Sequence, residues 1–158
     1  LSEFAGLEAQ CAAIADDIAY NSHDIDDGLR AGLLTLEGLK GTPLPEDILT
    51  EIDRAYPMLD PVRRGHELMR RQITAMVEDV IVTSKANLDR LAPRSADDVR
   101  RAGETIVRFS GVMRDKEKAL KGFLYANLYR HPDVMRVRAG ADWFVTDFAE
   151  LLAALPPA

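Results

Sequence analysis

The chain has 158 residues, 47% of them hydrophobic, so it is long enough to bury a core of its own. Its formal net charge of -6 argues against a protein that grips nucleic acid over a broad surface, because such binding needs clustered positive charge. No apolar run approaches the roughly 20 residues that span a bilayer, and no segment is typical of a signal peptide, so we expect a cytoplasmic protein with no membrane partner.

Helical periodicity is clear near the N-terminus, where we predict a helix over about residues 5–24. Its apolar residues recur at helical spacing and predict one narrow stripe that packs inward. The members of this stripe are Leu7, Cys11, Ile14, Ile18 and Ile25. Because Cys11 is the single cysteine and lies on this stripe, we expect it to be a small buried hydrophobic residue in a reducing compartment.

A second stripe of the same helix is polar. Asp16, Tyr20 and Asp24 are spaced four apart on nearly the opposite side, as on the solvated face of an ordinary surface helix. However, no Lys or Arg lies between Leu1 and Leu29, although that stretch holds several carboxylates: Glu3, Glu8, Asp16, Asp17, Asp24, Asp26 and Asp27. Since unpaired like charges at helical spacing repel, the stretch needs positive charge from a divalent cation or from a basic surface elsewhere.

The residues of this helix resemble a known family. The similarity is carried by the runs Leu7-Glu8-Ala9-Gln10, Ala15-Asp16-Asp17-Ile18-Ala19-Tyr20-Asn21 and His23-Asp24-Ile25-Asp26-Asp27-Gly28-Leu29-Arg30. They are similar to the central helix of the HD-domain deoxynucleoside triphosphate triphosphohydrolases, the dGTPase-like family. In that family a first His, a downstream His-Asp doublet and a final Asp from this helix hold one metal ion.

The resemblance implies roles for three residues. Asp16 corresponds to the final metal ligand, for a divalent ion such as Mg or Mn, while Tyr20 and Asp24 correspond to the residues that face the deoxyribose and its 3′-hydroxyl. A carboxylate on a rigid helix is a good hard ligand, and positions four and eight residues further on line the same groove. Asp17 points about 100° away from Asp16 and does not share the stripe.

The upstream His and the His-Asp doublet of the family are missing from the chain, so we expect it to be a C-terminal portion that is inactive alone. His23-Asp24 has the letters of the doublet, but adjacent helical residues diverge by about 100° and no His precedes them. We therefore expect His23 to be exposed, or one step removed from the site.

The remainder of the chain predicts more helices and no strand. The predicted helices cover residues 26–40 as a continuation or short second helix, about 45–55, 61–91, a short helix from Ser95 to near Gly103, and 110–130. A last helix carries Val134, Val137, Trp143, Phe144, Phe148, Leu151 and Leu152, and we assign its aromatic residues to the core or a subunit contact. The prediction is an all-α, multi-helix bundle over residues 1–158, the C-terminal part of an HD-domain-like fold.

Four arginines, Arg63, Arg64, Arg70 and Arg71, lie near the start of the long predicted helix. Their guanidinium groups suit a triphosphate, but surface carboxylates such as Glu67 and Glu78 are the alternative partners. The runs Lys121–Tyr125 and Leu128–His131 are also similar to a segment of the family, where they serve the fold.

The resemblance implies an enzyme that converts a deoxynucleoside triphosphate (dNTP) into deoxynucleoside and inorganic triphosphate, with a metal-activated water attacking the α-phosphorus. It also implies a homo-oligomer. The competing hypothesis is a non-catalytic helical module for interaction or oligomerisation. A regulator that responds to nucleic acid is disfavoured by the negative net charge.

Overall fold

The computed structural model describes residues 3–141, and every regular element within them is a helix. The α-helices are α1 (Leu7–Arg30), α2 (Leu36–Leu39), α3 (Pro43–Ala55), α4 (Pro61–Leu91), α5 (Ala96–Arg100) and α6 (Gly111–Leu124). Helix α6 runs directly into a π-helical turn, Tyr125–Tyr129, and residues 132–141 are helical again. The predicted all-α fold is confirmed. None of the described helices is both long and apolar enough to cross a membrane.

Local capping signals fix most helix boundaries. The side chain of Asp60 accepts a hydrogen bond from the Arg63 N–H at 3.1 Å and starts α4, and Ser95 and Ser110 cap α5 and α6 in the same way. Helix α4 ends at Leu91, and the residue that caps it, Ala92, has a left-handed φ of 44°. The predicted helix over 61–91 is therefore confirmed.

Other boundaries differ from the predictions. Helix α1 continues to Arg30, six residues beyond the predicted end, so part of the helix predicted over 26–40 belongs to α1. A non-helical connection over 31–35 then leads to the short helix α2. Helix α5 ends at Arg100, before the predicted end near Gly103. The aromatic part of the last predicted helix, residues 143–152, lies outside the described residues.

The core lies where α1, α3, α4 and α6 meet. Its fully buried members include Ile25, Leu39, Leu49, Ile52, Leu68, Met76, Leu120 and Leu124. Of the predicted α1 stripe, Ile18 and Ile25 are buried, while Leu7 and Ile14 are half-buried.

Cys11 is exposed, so the prediction of a buried cysteine was wrong. The inward position in this turn belongs to Gln10, whose side-chain oxygen accepts hydrogen bonds from the backbone N–H groups of Ile106 and Val107 at 2.9 and 3.0 Å. Because adjacent helical residues diverge by about 100°, this contact leaves Cys11 in solvent.

Arg64 joins three helices. Its Nε and Nη2 lie 2.7 and 2.6 Å from the two carboxylate oxygens of Asp53 on α3, and its Nη1 lies 3.2 Å from Glu37 on α2. The Arg64 side chain is only 17% exposed. Such a two-pronged, partly buried pair holds the start of α4 against α2 and α3.

A close approach of helix and loop requires glycine at position 28. An ideal Cβ on Gly28 would lie 2.6 Å from Cδ1 and 2.8 Å from Cγ of the buried Leu34. We expect Gly28→Ala to lower the free energy of unfolding by about 1–3 kcal/mol in denaturant titrations, because the core must shift to make room. Gly122→Ala is the matched control, since among the described residues no atom outside its own stretch of helix lies within 4 Å of an ideal Cβ; it should stabilise by about 0.5–1 kcal/mol. Equal changes in the two variants would contradict this account.

The pairing of Arg64 predicts a difference between neighbouring arginines. We expect Arg64→Ala to lower the free energy of unfolding by about 1.5–3 kcal/mol, because it removes charged hydrogen bonds to Asp53 and Glu37. Arg63→Ala is the control: its side chain is 78% exposed and its Nε lies 3.4 Å from Asp60, so its effect should be below about 1 kcal/mol. Urea denaturation of both variants measures the difference, and similar losses would refute it.

Candidate functional site

The three residues singled out on α1 lie along one side of the helix. Asp16 is exposed, the Tyr20 side chain is 58% exposed, and Asp24 is half-buried. At about 1.5 Å of rise per residue, the helix places Asp24 roughly 12 Å from Asp16 along its axis, with Tyr20 midway. This side is distinct from the one that buries Ile18 and Ile25.

Asp16 has no hydrogen bond or ion pair with another described side chain. Within residues 3–141, no group of three or more His, Cys, Asp or Glu residues is arranged to hold a metal ion. The Asp16 carboxylate is a suitable hard donor for a divalent cation, but a site needs several such donors. Asp16 is therefore not part of such a group among the described residues.

Asp17 is engaged in the fold. Its Oδ1 lies 3.0 Å from Nζ of Lys121 on α6, and the same Nζ lies 2.6 Å from Glu117. Asn21, one turn along α1, donates a hydrogen bond to Glu117 at 3.3 Å. The expectation that Asp16 and Asp17 point in different directions is confirmed.

Asp24 contacts a residue that sequence reasoning did not assign to the site. The Tyr129 hydroxyl, on the π-helical turn, donates a hydrogen bond to Oδ2 of Asp24. Burial raises the pKa of the Asp24 carboxyl, and the nearby Asp27 carboxylate raises it further. The charge of His23 lowers the same pKa by a smaller amount. The two partners are 105 positions apart in sequence, which explains why periodicity could not indicate the contact, although Tyr129 lies in a run that resembles the family.

An apolar groove of about 550 Å³ lies between α1 and α4, next to the side that carries Asp16 and Tyr20. From α1 it is lined by Ala15, Ala19 and His23, and from α4 by His66, Ile73, Val77 and Ile81, among others. His23 is exposed, one of the two placements expected for it. Ile73, Val77 and Ile81 of α4 are 40%, 39% and 60% exposed, so this groove is a surface on which more polypeptide can pack.

The four arginines considered as phosphate ligands all pair with carboxylates of the fold. Arg70 and Arg71 both donate to Glu67, at 2.6 and 2.9 Å, and Arg71 also lies 3.5 Å from Glu51. Hydrogen bonds from Arg70 and then Arg71 lower the pKa of Glu67 to about 2. Together with the pairs of Arg63 and Arg64, these contacts favour the structural alternative. Glu67 is confirmed as a partner, and no ion pair of Glu78 occurs among the described residues.

Comparison with known proteins places these observations in a family. The Phosphohydrolase-associated domain matches residues 107–158, which include α6 and the turn that carries Tyr129. The whole chain is 66% identical to the deoxyguanosinetriphosphate triphosphohydrolase-like protein 1 of Mesorhizobium japonicum, of which it covers 39%. It is 50% identical over 156 residues to the corresponding protein of Allorhizobium ampelinum, covering 99% of the chain and 38% of that protein.

A third relative, the deoxyguanosinetriphosphate triphosphohydrolase-like protein of Brucella ovis, is 58% identical over 147 residues, which are 93% of the chain and 37% of that protein. The chain thus spans less than two fifths of the length of these relatives. High identity over nearly all of the chain shows that it belongs to the family of deoxyguanosinetriphosphate triphosphohydrolase-like proteins and corresponds to their C-terminal part.

Proposed function

We propose that the chain is the C-terminal helical part of a metal-dependent triphosphohydrolase, which converts a dNTP into deoxynucleoside and inorganic triphosphate. The names of its relatives support hydrolysis of a triphosphate by the family. The structural observation that carries the proposal is the arrangement of α1. This helix keeps Asp16, Tyr20 and Asp24 along one side, with Asp16 and Tyr20 open to solvent in the described part of the chain.

Each of these side chains suits a separate task. Asp16 would hold one position of a divalent ion such as Mg or Mn; when bound, that ion supplies a nucleophilic water and offsets charge on the phosphates. The ring of Tyr20 offers a flat face to the deoxyribose, and the carboxylate of Asp24 accepts a hydrogen bond from its 3′-hydroxyl. In the reaction a water oxygen bonds to the α-phosphorus, the bond from that phosphorus to the sugar oxygen breaks, and the sugar oxygen gains a proton.

The proposal assigns the other metal ligands to the part of the relatives that this chain does not cover. Two observations support this division. The described residues contain no cluster of metal ligands, and the apolar groove beside Asp16 is open for packing. The chain alone is therefore expected to bind metal weakly and to hydrolyse no dNTP. We extend the proposal to a homo-oligomer, as the resemblance implies, and to a cytoplasmic location, as the sequence predicts.

The second candidate function is a non-catalytic helical module for interaction or oligomerisation. The half-exposed aliphatic side chains of α4 favour it, because a partner that packs on them buries apolar surface without any chemistry. The two functions differ in what the full-length polypeptide holds. A spaced His and a His-Asp doublet ahead of α1 support the enzyme, and their absence supports the module.

The sharpest test compares two adjacent carboxylates in the full-length protein. We expect Asp16→Ala to lower dNTP turnover by more than about 100-fold, because it removes a metal ligand. The measurement is release of inorganic triphosphate from each of the four dNTPs, with Mg²⁺ or Mn²⁺ present.

The matched control is Asp17→Ala, which removes a carboxylate from the same turn of α1. Since Asp17 pairs with Lys121 on α6, its loss should cost stability and leave turnover within a few fold of the unmodified protein. Equal turnover by the Asp16→Ala variant and the unmodified protein would refute the metal assignment.

A further inference from the structure

We propose that Tyr129 is a positioning residue, whose hydroxyl holds the Asp24 carboxylate in the orientation that accepts the 3′-hydroxyl of the substrate. The phosphohydrolase-associated domain would then help to select nucleotides that carry a 3′-hydroxyl. This inference rests on the proposed function and adds a residue, outside α1, that acts on the same site.

Within the described part of the chain, Asp24 keeps one free oxygen. Tyr129 donates to Oδ2, and no described group donates to Oδ1. An ionised carboxylate accepts at both oxygens, so Asp24 can be held through one oxygen while the other receives a substrate hydroxyl. A side chain that is half-buried and tethered at one end has fewer rotamers than a free one, which favours a defined direction for the second acceptor.

The chemistry of a tyrosine fits this task. Burial and the nearby Asp27 carboxylate favour the protonated form of Asp24, which would lose one of its acceptor oxygens. A hydroxyl that donates to the carboxylate stabilises the ionised form instead. Phenylalanine at position 129 would keep the ring and remove only this donor.

The backbone around Tyr129 is also unusual. The residues Tyr125–Tyr129 form a π-helical turn at the end of α6. Such turns are rare and occur frequently at functional sites. Leu128 is buried in the core, so the turn anchors the segment while Tyr129 reaches α1.

Tyr125 provides a control within the same turn. Its ring is 53% exposed, and its hydroxyl accepts a hydrogen bond from Arg130 at 2.7 Å rather than contacting α1. The variants Tyr129→Phe and Tyr125→Phe therefore each remove one hydroxyl from this turn, but only the first removes a contact with Asp24.

The experiment uses the full-length protein and two substrates, a dNTP and the matching 2′,3′-dideoxynucleoside triphosphate, which lacks the 3′-hydroxyl. We expect Tyr129→Phe to lower kcat/KM for the dNTP by about tenfold, the usual effect of losing one hydrogen bond to a charged group. Turnover of the dideoxy substrate should change little, so the preference for the dNTP shrinks by about tenfold. Tyr125→Phe should leave the preference unchanged.

Asp24→Asn separates failure of this inference from failure of the proposed function. If Asp24→Asn reduces the preference for the dNTP and Tyr129→Phe does not, Tyr129 has no positioning role, while the assignment of Asp24 stands. If Asp24→Asn leaves the preference intact, the role of Asp24 in sugar binding is itself wrong, and the inference is overturned with it.

A purely structural role for Tyr129 has a different signature. In that case Tyr129→Phe would lower the melting temperature and reduce kcat/KM equally for both substrates, which would overturn the inference. A positioning role predicts instead that the double variant Asp24→Asn, Tyr129→Phe discriminates no less than Asp24→Asn alone, because both changes act on one contact.

Discussion

The rotation of about 100° per residue along α1 is the constraint from which the arrangement of the described residues follows. Ile18 and Ile25 face the core, while Asp17, on another side, reaches Lys121 of α6. Asp16, one residue away, remains in solvent with Tyr20. One helix can therefore tie two neighbouring helices into the core and still keep a polar side open, because consecutive residues serve different neighbours.

The positive charge that the acidic N-terminal stretch requires comes partly from the fold itself. Lys121 pairs with Asp17, and Arg30, at the end of the same helix, pairs with Asp26 at 2.7 Å. Tyr129 satisfies Asp24 without adding charge. Asp16 has neither a basic side chain nor a hydroxyl as partner among the described residues. From the sequence we considered two sources of positive charge, a basic surface and a divalent cation. Lys121 provides the first for Asp17, and a cation is the proposed partner of Asp16.

Local signals made much of the fold predictable, and long-range contacts limited the rest. The cap at Asp60 and the periodicity of the following residues predicted α4 to its last residue, because both signals act within a few turns. The same periodicity placed Cys11 inward, but the contact of Gln10 with residues 106 and 107 decides which side of that turn is covered. The partners of Asp24 and Arg64 lie 105 and 11 residues away, and sequence spacing contains no information on such pairs.

The proposed function links packing to chemistry at the open side of α1. Under the proposed function, further ligands would have to meet Asp16 from outside the described residues, and the neighbouring residue Ala15 lines the apolar groove between α1 and α4. A segment that packs against Ile73, Val77 and Ile81 would bury aliphatic surface at about 25 cal/mol per Å² and bring its side chains beside Asp16. The same contact would remove water from the neighbourhood of the carboxylate, where the attraction between an ion and its ligands is stronger. If the proposed function holds, packing in the groove and assembly of the metal site would be coupled, because the same segment would cover the apolar side chains and supply ligands next to Asp16.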